Sequence, residues 1–331
     1  METHEWNPGA LLELSGYYWK TCTLHAGVKL GVFTALGNER LTSKALAGRI
    51  GADDRALAML LNALAAMGLL TKAGDTYSNT EAGKKFLSRE SPQYLGHIIM
   101  HHHHLMFSWA ELDRGIMTGK PVRSRASFAD AEWRESFLLG MFNMAMSIAP
   151  QLTPLVDLKG RKHFLDMGGG PGTYAIHFCM QNPDLRATIF DLPTTRPFAE
   201  KTVAKFGLID RIAFQEGNYL EDEVTGSYDV AWLSHILHGE GPEDCRMILK
   251  KAVAALEPGG LIMVHEFLLN NTLDGPIFPA LFSLNMLLGT PRGQAYSEQD
   301  ITDMLAECGI RDMRRLSFRG PNDSGIIAGI K

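Results

Sequence analysis

The residues with the clearest chemical spacing lie midway along the chain. Asp166, Gly168, Gly170 and Gly172 alternate with single residues, directly after the apolar pair Phe164 and Leu165. Tyr174, Ala175, Ile176 and Phe178 follow as a helical run. Closely spaced glycines at a strand-to-helix turn let a ligand approach the backbone. A dinucleotide fingerprint needs a further glycine three residues after the second, and Thr173 stands there instead. A second acid, Asp191, ends the short run Ala187–Phe190. A carboxylate at such a strand end can accept both hydroxyl donors of a ribose. Together the turn and the acid point to a nucleotide-containing cofactor. A different chemistry is suggested by His97 and the run His101–His104. His97 and His101 stand at the i,i+4 spacing of helical zinc ligands. No Glu or Cys stands at ligand spacing nearby, and four successive histidines point around the whole helix. Pocket lining with a solvated side is therefore the favoured reading, and no metal is expected.

The elements that must position these residues fall into two regimes. Residues 1–155 read as nearly all helical. Leu11–Leu36 carries apolar residues on several faces and predicts one largely buried helix. Thr42 is a plausible N-cap for a second helix that ends at Gly51. Asp53–Met67 predicts a third, with acids in its first turn and Gly68 as its stop. Leu69–Thr71 and Thr76–Ser78 read as a short hairpin around Gly74–Asp75, which completes a winged-helix pattern. Residues 91–119 predict a long helix after Pro92. Residues 156–331 alternate strands with helices. The strands are expected at Phe164–Leu165, Ala187–Asp191, Arg211–Gln215, Tyr228–Leu233 and Leu261–Val264. That alternation implies a parallel sheet with its ligand beyond the carboxyl ends of the strands.

Composition narrows the function classes. The 331 residues are 45% hydrophobic and 21% charged, ordinary for a folded protein of about two domains. The net charge of -5 offers no global basic field for nucleic acid or an anionic membrane. The candidate recognition helix, 53–67, has two Asp, one Arg and no Lys. Phosphate binding would need basic residues on that helix. The longest apolar stretch, Leu57–Leu70, is interrupted by Asn62 and falls short of the ~20 residues of a membrane helix. Cys22, Cys179, Cys245 and Cys308 form no C-x-x-C pair, so reduced thiols are expected. With no basic region ahead of an apolar stretch at the N-terminus, the expected location is the cytoplasm.

The glycine loop, LDMGGGPG, resembles motif I of S-adenosylmethionine (SAM) dependent methyltransferases, where it packs against the amino-acid part of the cofactor. Four further segments extend the likeness: FDLP (Phe190–Pro193), SHILHGEGPEDC, the EPGG turn and VHEF. With the N-terminal winged-helix pattern, the chain resembles the plant-type and hydroxyindole-like family of small-molecule O-methyltransferases over nearly its whole length. The resemblance implies a Rossmann-like α/β domain with a seven-stranded, mostly parallel sheet. It also implies an N-terminal, mostly helical winged-helix dimerisation domain and a homodimer. The family's general base falls on His238 and its orienting carboxylate on Glu266. The cofactor set falls on Asp166, Gly168, Gly170, Gly172, Asp191, Leu192, Asn218, Tyr219 and Ser234. The family's substrate-facing segment matches Phe142, Asn143 and Met146. Trp109, Met286 and His103 are further pocket candidates.

Two positions depart from the family pattern. Gly239-Glu240 replaces the Asp-Trp that follows the histidine, and Ala295 falls near a second orienting glutamate. The implied reaction is transfer of the SAM methyl to a hydroxyl of a small, aromatic acceptor, leaving S-adenosylhomocysteine. The departures keep open a SAM-binding relative with altered chemistry, such as C- or N-methylation or a non-methylating reaction. Six of the 16 methionines, Met100, Met106, Met117, Met141, Met144 and Met146, lie in the segments expected to wall the acceptor pocket. Met is suited to adaptable apolar surfaces.

Overall fold

The computed structural model describes residues 6–125 and 131–331. It divides into two compact units, one ending at Leu105 and the other beginning at Met106.

The N-terminal unit opens with α1 (Pro8–Lys29) and α2 (Val32–Leu36). The single helix expected over Leu11–Leu36 is thus broken, because Gly31 adopts a left-handed conformation at φ 68°. The expected burial of this stretch also fails over α1, where Leu12 is 74% and Trp19 68% exposed. Toward the N-terminal end of the helix, apolar residues stand on several sides and no described residue covers them, whereas His25, Gly27 and Val28 at its C-terminal end are buried. Next come β1 (Leu41–Thr42), α3 (Ser43–Ile50) and α4 (Asp54–Ala66). Thr42 Oγ1 accepts the Ala45 N–H and Asp53 Oδ1 the Ala56 N–H, so both N-caps are made. The hairpin β2 (Leu70–Ala73) and β3 (Thr76–Asn79) adds β1 to give a sheet ordered β1-β3-β2. This is the winged-helix arrangement. Its core gathers Val32, Phe33, Leu36, Leu46, Leu57, Leu61 and Leu64.

After α5 (Glu81–Leu87), the long helix expected over 91–119 is two: α6 (Gly96–Trp109) and α7 (Leu112–Thr118). Ala110 and Glu111 form a turn between them. Met117, on α7, is 85% exposed, so it walls no pocket in this unit.

The C-terminal unit continues with α8 (Ala131–Leu152), β4 (His163–Met167), α9 (Thr173–Gln181), β5 (Arg186–Asp191), α10 (Arg196–Lys205) and β6 (Ile212–Glu216). Then follow β7 (Tyr228–Ser234), α11 (Pro242–Ala254), β8 (Leu256–Leu269) and α12 (Ile277–Gly289). The two-residue β9 (Tyr296–Ser297), α13 (Glu298–Glu307), β10 (Arg311–Arg319) and β11 (Ser324–Ile330) complete it. The strands run β10-β11-β8-β7-β4-β5-β6, with β9 attached to the end of β8. Pairs from β8 to β6 are parallel, and β11 is antiparallel to β8 and to β10. Side chains alternate across the sheet. Val230 and Trp232 pack on one face with α8, α9 and α10. Ala231 and Leu233 pack on the other with α11 and α13. Each face is thus sealed, which leaves ligand access at the strand ends.

Candidate active site

The carboxyl ends of β4, β5, β7 and β8 share one edge of the sheet. The register pairs Met167 with Phe190 and Leu233, and Ser234 with His265. The glycine loop, the FDLP segment, the SHILHGEGPEDC segment and VHEF therefore converge there, whereas the EPGG turn lies at the opposite edge, where Leu256 pairs with Tyr228.

The glycine loop leaves β4 and enters α9. Gly168 N–H donates to Phe190 O at 2.8 Å, which ties the loop to β5. Gly170, at φ 54°, has open space where a Cβ would stand. Gly172, at φ 77°, has the opposite constraint: a Cβ there would collide with Ile189 Cδ1. Only glycine adopts such a backbone without cost. Asp191 at the end of β5 accepts the Gly170 N–H and its neighbour Leu192 N–H, each at 2.7 Å. Asp166 is 1% exposed, and its Oδ2 accepts the Ala175 N–H at 3.2 Å. Burial pushes its carboxyl up to about 7, with the Asp191 charge adding to the rise. Burial raises Asp191 as well, against the pull of two backbone N–H donors and the Arg125 charge.

Asn218 and Tyr219 follow β6, beside β5. Gly217 N–H donates to Asp191 O at 3.0 Å, and Asn218 Oδ1 accepts the Leu220 N–H. Tyr219 Oη donates to Glu240 Oε1 at 3.1 Å. Ser234 Oγ lies 3.0 Å from His265 Nδ1.

His238 sits on a single 3-10 turn, Leu237–Gly239, just beyond β7. Its Nδ1 lies 2.7 Å from Oε2 of Glu266 on β8. Oε1 of the same carboxylate accepts the backbone N–H groups of Leu237 and His238 at 2.9 and 3.3 Å. Burial would raise the Glu266 carboxyl, but the charges and side-chain hydrogen bonds of His238 and His235 outweigh it and hold the group ionised, far below the usual carboxylate range. His235 approaches Oε2 at 3.5 Å. It carries a left-handed backbone at φ 56°, strained for a non-glycine residue, where the chain turns out of β7 toward His238. Among the described residues, His235, His238 and Glu266 are the grouping of three ligand-type side chains close enough for a metal, within 4.8 Å. Glu266 Oε1 is already committed to two backbone donors. The arrangement reads as a hydrogen-bonded histidine–carboxylate pair.

Aromatic rings wall this pair. Phe267 stacks along His238 with centroids 5.9 Å apart, and Phe282 of α12 meets it edge-on at 4.8 Å. Met286, one turn beyond Phe282, is buried. Ala295, at the second departure from the family pattern, is buried, and its N–H donates to Ser283 Oγ. On α8, Phe142, Asn143 and Met146 are half-buried. Asn143 Oδ1 is buried with no hydrogen-bond partner among the described residues, and Met146 Sδ lies 3.4 Å from His177 Nε2. Trp109 ends α6, half-buried in the C-terminal unit. His103 belongs to the N-terminal unit, where its Nε2 lies 3.2 Å from Lys29 Nζ and its ring meets His25 edge-on. His97 packs against Tyr94 in the same unit.

Sequence reasoning missed Phe267, Phe282 and Arg125. Phe278 and Phe282, at i,i+4 spacing in an apolar helix, were the available signal for the aromatic wall. For Arg125 there was none.

The geometry defines a methyltransferase-type Rossmann fold: a glycine loop and acid at the strand ends, beside a histidine–carboxylate pair. Residues 117–311 match the O-methyltransferase domain family, and residues 12–89 match the O-methyltransferase dimerisation domain. The chain is 32% identical to the 3-hydroxy-5-methyl-1-naphthoate 3-O-methyltransferase of Streptomyces sahachiroi, covering 98% of this chain and 95% of that one. It is 31% identical to the tetracenomycin polyketide synthesis 8-O-methyl transferase TcmO of Streptomyces glaucescens, covering 98% and 97%. The solved structure of PigF with SAH, whose counterpart in Serratia sp. is described as a SAM-dependent methyl transferase, superposes with a TM-score of 0.90. Its identity is 27%, covering 98% of this chain and 100% of that one. The chain belongs to the family of SAM-dependent O-methyltransferases that carry a dimerisation domain. Its methyl donor is S-adenosylmethionine. No helix among the described residues is long and apolar enough to cross a membrane.

Proposed function

We propose that the acceptor is a hydroxyl on a small aromatic molecule and that His238 removes its proton while Glu266 orients the histidine. The observation that carries this reading is the 2.7 Å contact from His238 Nδ1 to Glu266 Oε2, framed by Phe267 and Phe282. Flat aromatic walls suit a flat aromatic acceptor. The naphthoate relative, by its name, methylates a ring hydroxyl of a naphthoate, and the tetracenomycin relative, by its name, is an 8-O-methyl transferase of polyketide synthesis.

The cofactor cradle fits this role. Open space over Gly170 admits a ligand to the backbone, and Thr173 Oγ1 is a buried polar atom with no partner among the described residues. Asp166 and the loop Gly168, Gly170 and Gly172 would face the amino-acid end. Asp191, Leu192, Asn218, Tyr219 and Ser234 would face the nucleoside. SAM, when bound, supplies an electrophilic methyl group on a sulfonium.

The energetics set the histidine's role. A phenol of pKa ~10 giving its proton to an imidazole of pKa ~6.5 goes uphill by ~5 kcal/mol. Full prior ionisation is therefore costly. His238 takes the proton as the oxygen attacks, and Glu266 stabilises the imidazolium that forms. Asn143, whose carbonyl has no partner among the described residues, and Met146 and Met286 would orient the ring of the acceptor, with Trp109 as a further contact.

Residues 1–155 would serve dimerisation and acceptor binding, and 156–331 cofactor and catalysis. The exposed apolar residues of α1 support a homodimer. Four free cysteines, two of them buried, support a reducing, cytoplasmic location.

Titration calorimetry with SAM, then mass spectrometry of phenolic acceptors incubated with enzyme and SAM, tests the reading. Binding with a mass gain of one methylene on a hydroxyl supports it. Absence of SAM binding, or methylation confined to carbon or nitrogen, overturns it.

A further inference from the structure

Arg125 lies in no motif, yet it joins two segments of the cofactor edge. Its Nη1 pairs with Glu240 Oε1, and its Nη2 donates to Tyr219 Oη at 2.8 Å. Tyr219 Oη donates in turn to Glu240 Oε1 at 3.1 Å, which closes a three-membered ring of polar contacts. The ring is enclosed: the Glu240 side chain is 8% exposed and that of Arg125 30%. Buried ion pairs are retained where their geometry and extra hydrogen bonds are good, and this one shares a phenol.

Neighbouring residues are shaped to receive the guanidinium. A Cβ on Gly239 would stand 2.5 Å from Arg125 Nη2, so any side chain there would displace the guanidinium from this position. Glu240 is held from behind, where its backbone O accepts the Tyr296 hydroxyl at 2.6 Å. The two residues that replace the family's Asp-Trp are therefore one device with Arg125: the first gives space and the second gives charge. Tyr219 stands two residues beyond Gly217, which is tied to Asp191 O. The Arg125 charge also reaches Asp191, whose carboxyl it favours in the ionised form.

We propose that Arg125 is a cofactor-positioning residue, which holds Tyr219 and Glu240 in one closed ring beside Asp191 and so fixes the wall for the nucleoside end of SAM. The inference rests on the reading of Asp191 and Tyr219 as cofactor contacts. Because the ring's polar contacts join Tyr219 and Glu240 and its charge reaches Asp191, with no hydrogen bond to the His238 or Glu266 side chains among the described residues, it sets affinity for SAM and not the rate of the chemical step. Removal of such uniform binding raises KM and leaves kcat unchanged.

The test compares Arg125→Ala, Arg125→Lys, Tyr219→Phe and Tyr219→Ala in the full-length protein. SAM Kd is read by calorimetry, kcat at saturating SAM by methyl transfer, and folding by Tm. The expected result is a SAM Kd raised about ten- to hundredfold in Arg125→Ala. Arg125→Lys, which keeps the charge but loses the fork, falls between it and the parent. Tyr219→Phe also weakens SAM, and in the two Arg125 variants kcat at saturating SAM stays within about twofold of the parent. A fall in Tm with unchanged Kd in both Arg125 variants would reduce the ring to a structural role and overturn the proposal. Lower kcat at saturating SAM with unchanged Kd would overturn it in favour of a role at the acceptor. If Tyr219→Ala itself leaves Kd unchanged, the reading of Tyr219 as a cofactor contact fails, and the proposal fails with it.

Discussion

His238 and Glu266 meet through Nδ1 and Oε2 at 2.7 Å, from a turn after β7 and from β8. A carboxylate on Nδ1 fixes the tautomer and leaves Nε2 as the nitrogen for an acceptor proton. Adjacent parallel strands bring the two side chains together: Ser234 pairs with His265, and Glu266 is the next residue along.

Glu266→Gln is expected to keep the fold and lose most of the activity. The amide retains an oxygen for the Leu237 and His238 N–H groups but cannot stabilise an imidazolium. The expected fall in kcat is roughly 10²-fold, with a stability loss of about 1–3 kcal/mol from the weakened buried contacts. Steady-state kinetics and chemical denaturation measure both. Unchanged kcat would remove Glu266 from the mechanism.

Gly170→Ala and Gly172→Ala separate cradle from fold. Both place a side chain at a left-handed backbone, at a cost of about 1–2 kcal/mol. Open space receives the new methyl at position 170, whereas Ile189 obstructs it at 172. Overpacking adds about 1–3 kcal/mol there. Gly170→Ala is therefore expected to fold and to bind SAM at least about tenfold more weakly, and Gly172→Ala to show the larger drop in Tm. Equal Tm losses, with SAM affinity intact in Gly170→Ala, would refute the assignment.

Asp166 gives the unliganded protein a pH dependence. Its carboxyl is held at about 7 in the fold, against 3.8 when free. The folded chain thus keeps a proton that the unfolded chain releases. The stabilisation is complete below the unfolded value and is lost as pH rises through about 7. Tm is expected to fall across this window, and Asp166→Asn to flatten the fall. An equal slope in the variant would show that other groups cause it.

Much of this was legible from residue order, for definable reasons. The glycine loop and Asp191 announce themselves because a parallel strand buried on both faces is a short apolar run, and its end is marked by residue type. His238 and Glu266 were reachable only through the family resemblance, since nothing local distinguishes His238 from His235. The break at Gly31 and the turn at Ala110–Glu111 were missed, because apolar periodicity continues across both. Exposure of α1 was missed because apolar residues on several sides predict burial without saying against what. Arg125 was invisible, with its partners Tyr219 and Glu240 94 and 115 residues away. Pairing at that distance is a product of topology.

The exposed face of α1 is expected to be the dimer contact. Replacing both Leu12 and Trp19 with Glu puts charge at two exposed apolar positions of this helix. The expected result by light scattering is a monomer from a parent dimer. A variant that remains dimeric would place the interface elsewhere.

Methyl transfer by His238→Gln, measured on an acceptor turned over by the parent enzyme, tests the central claim most directly. The expected result is a fall in kcat of about 10²–10⁴-fold with SAM affinity unchanged, as for loss of a general base. Turnover within a few fold of the parent would contradict it.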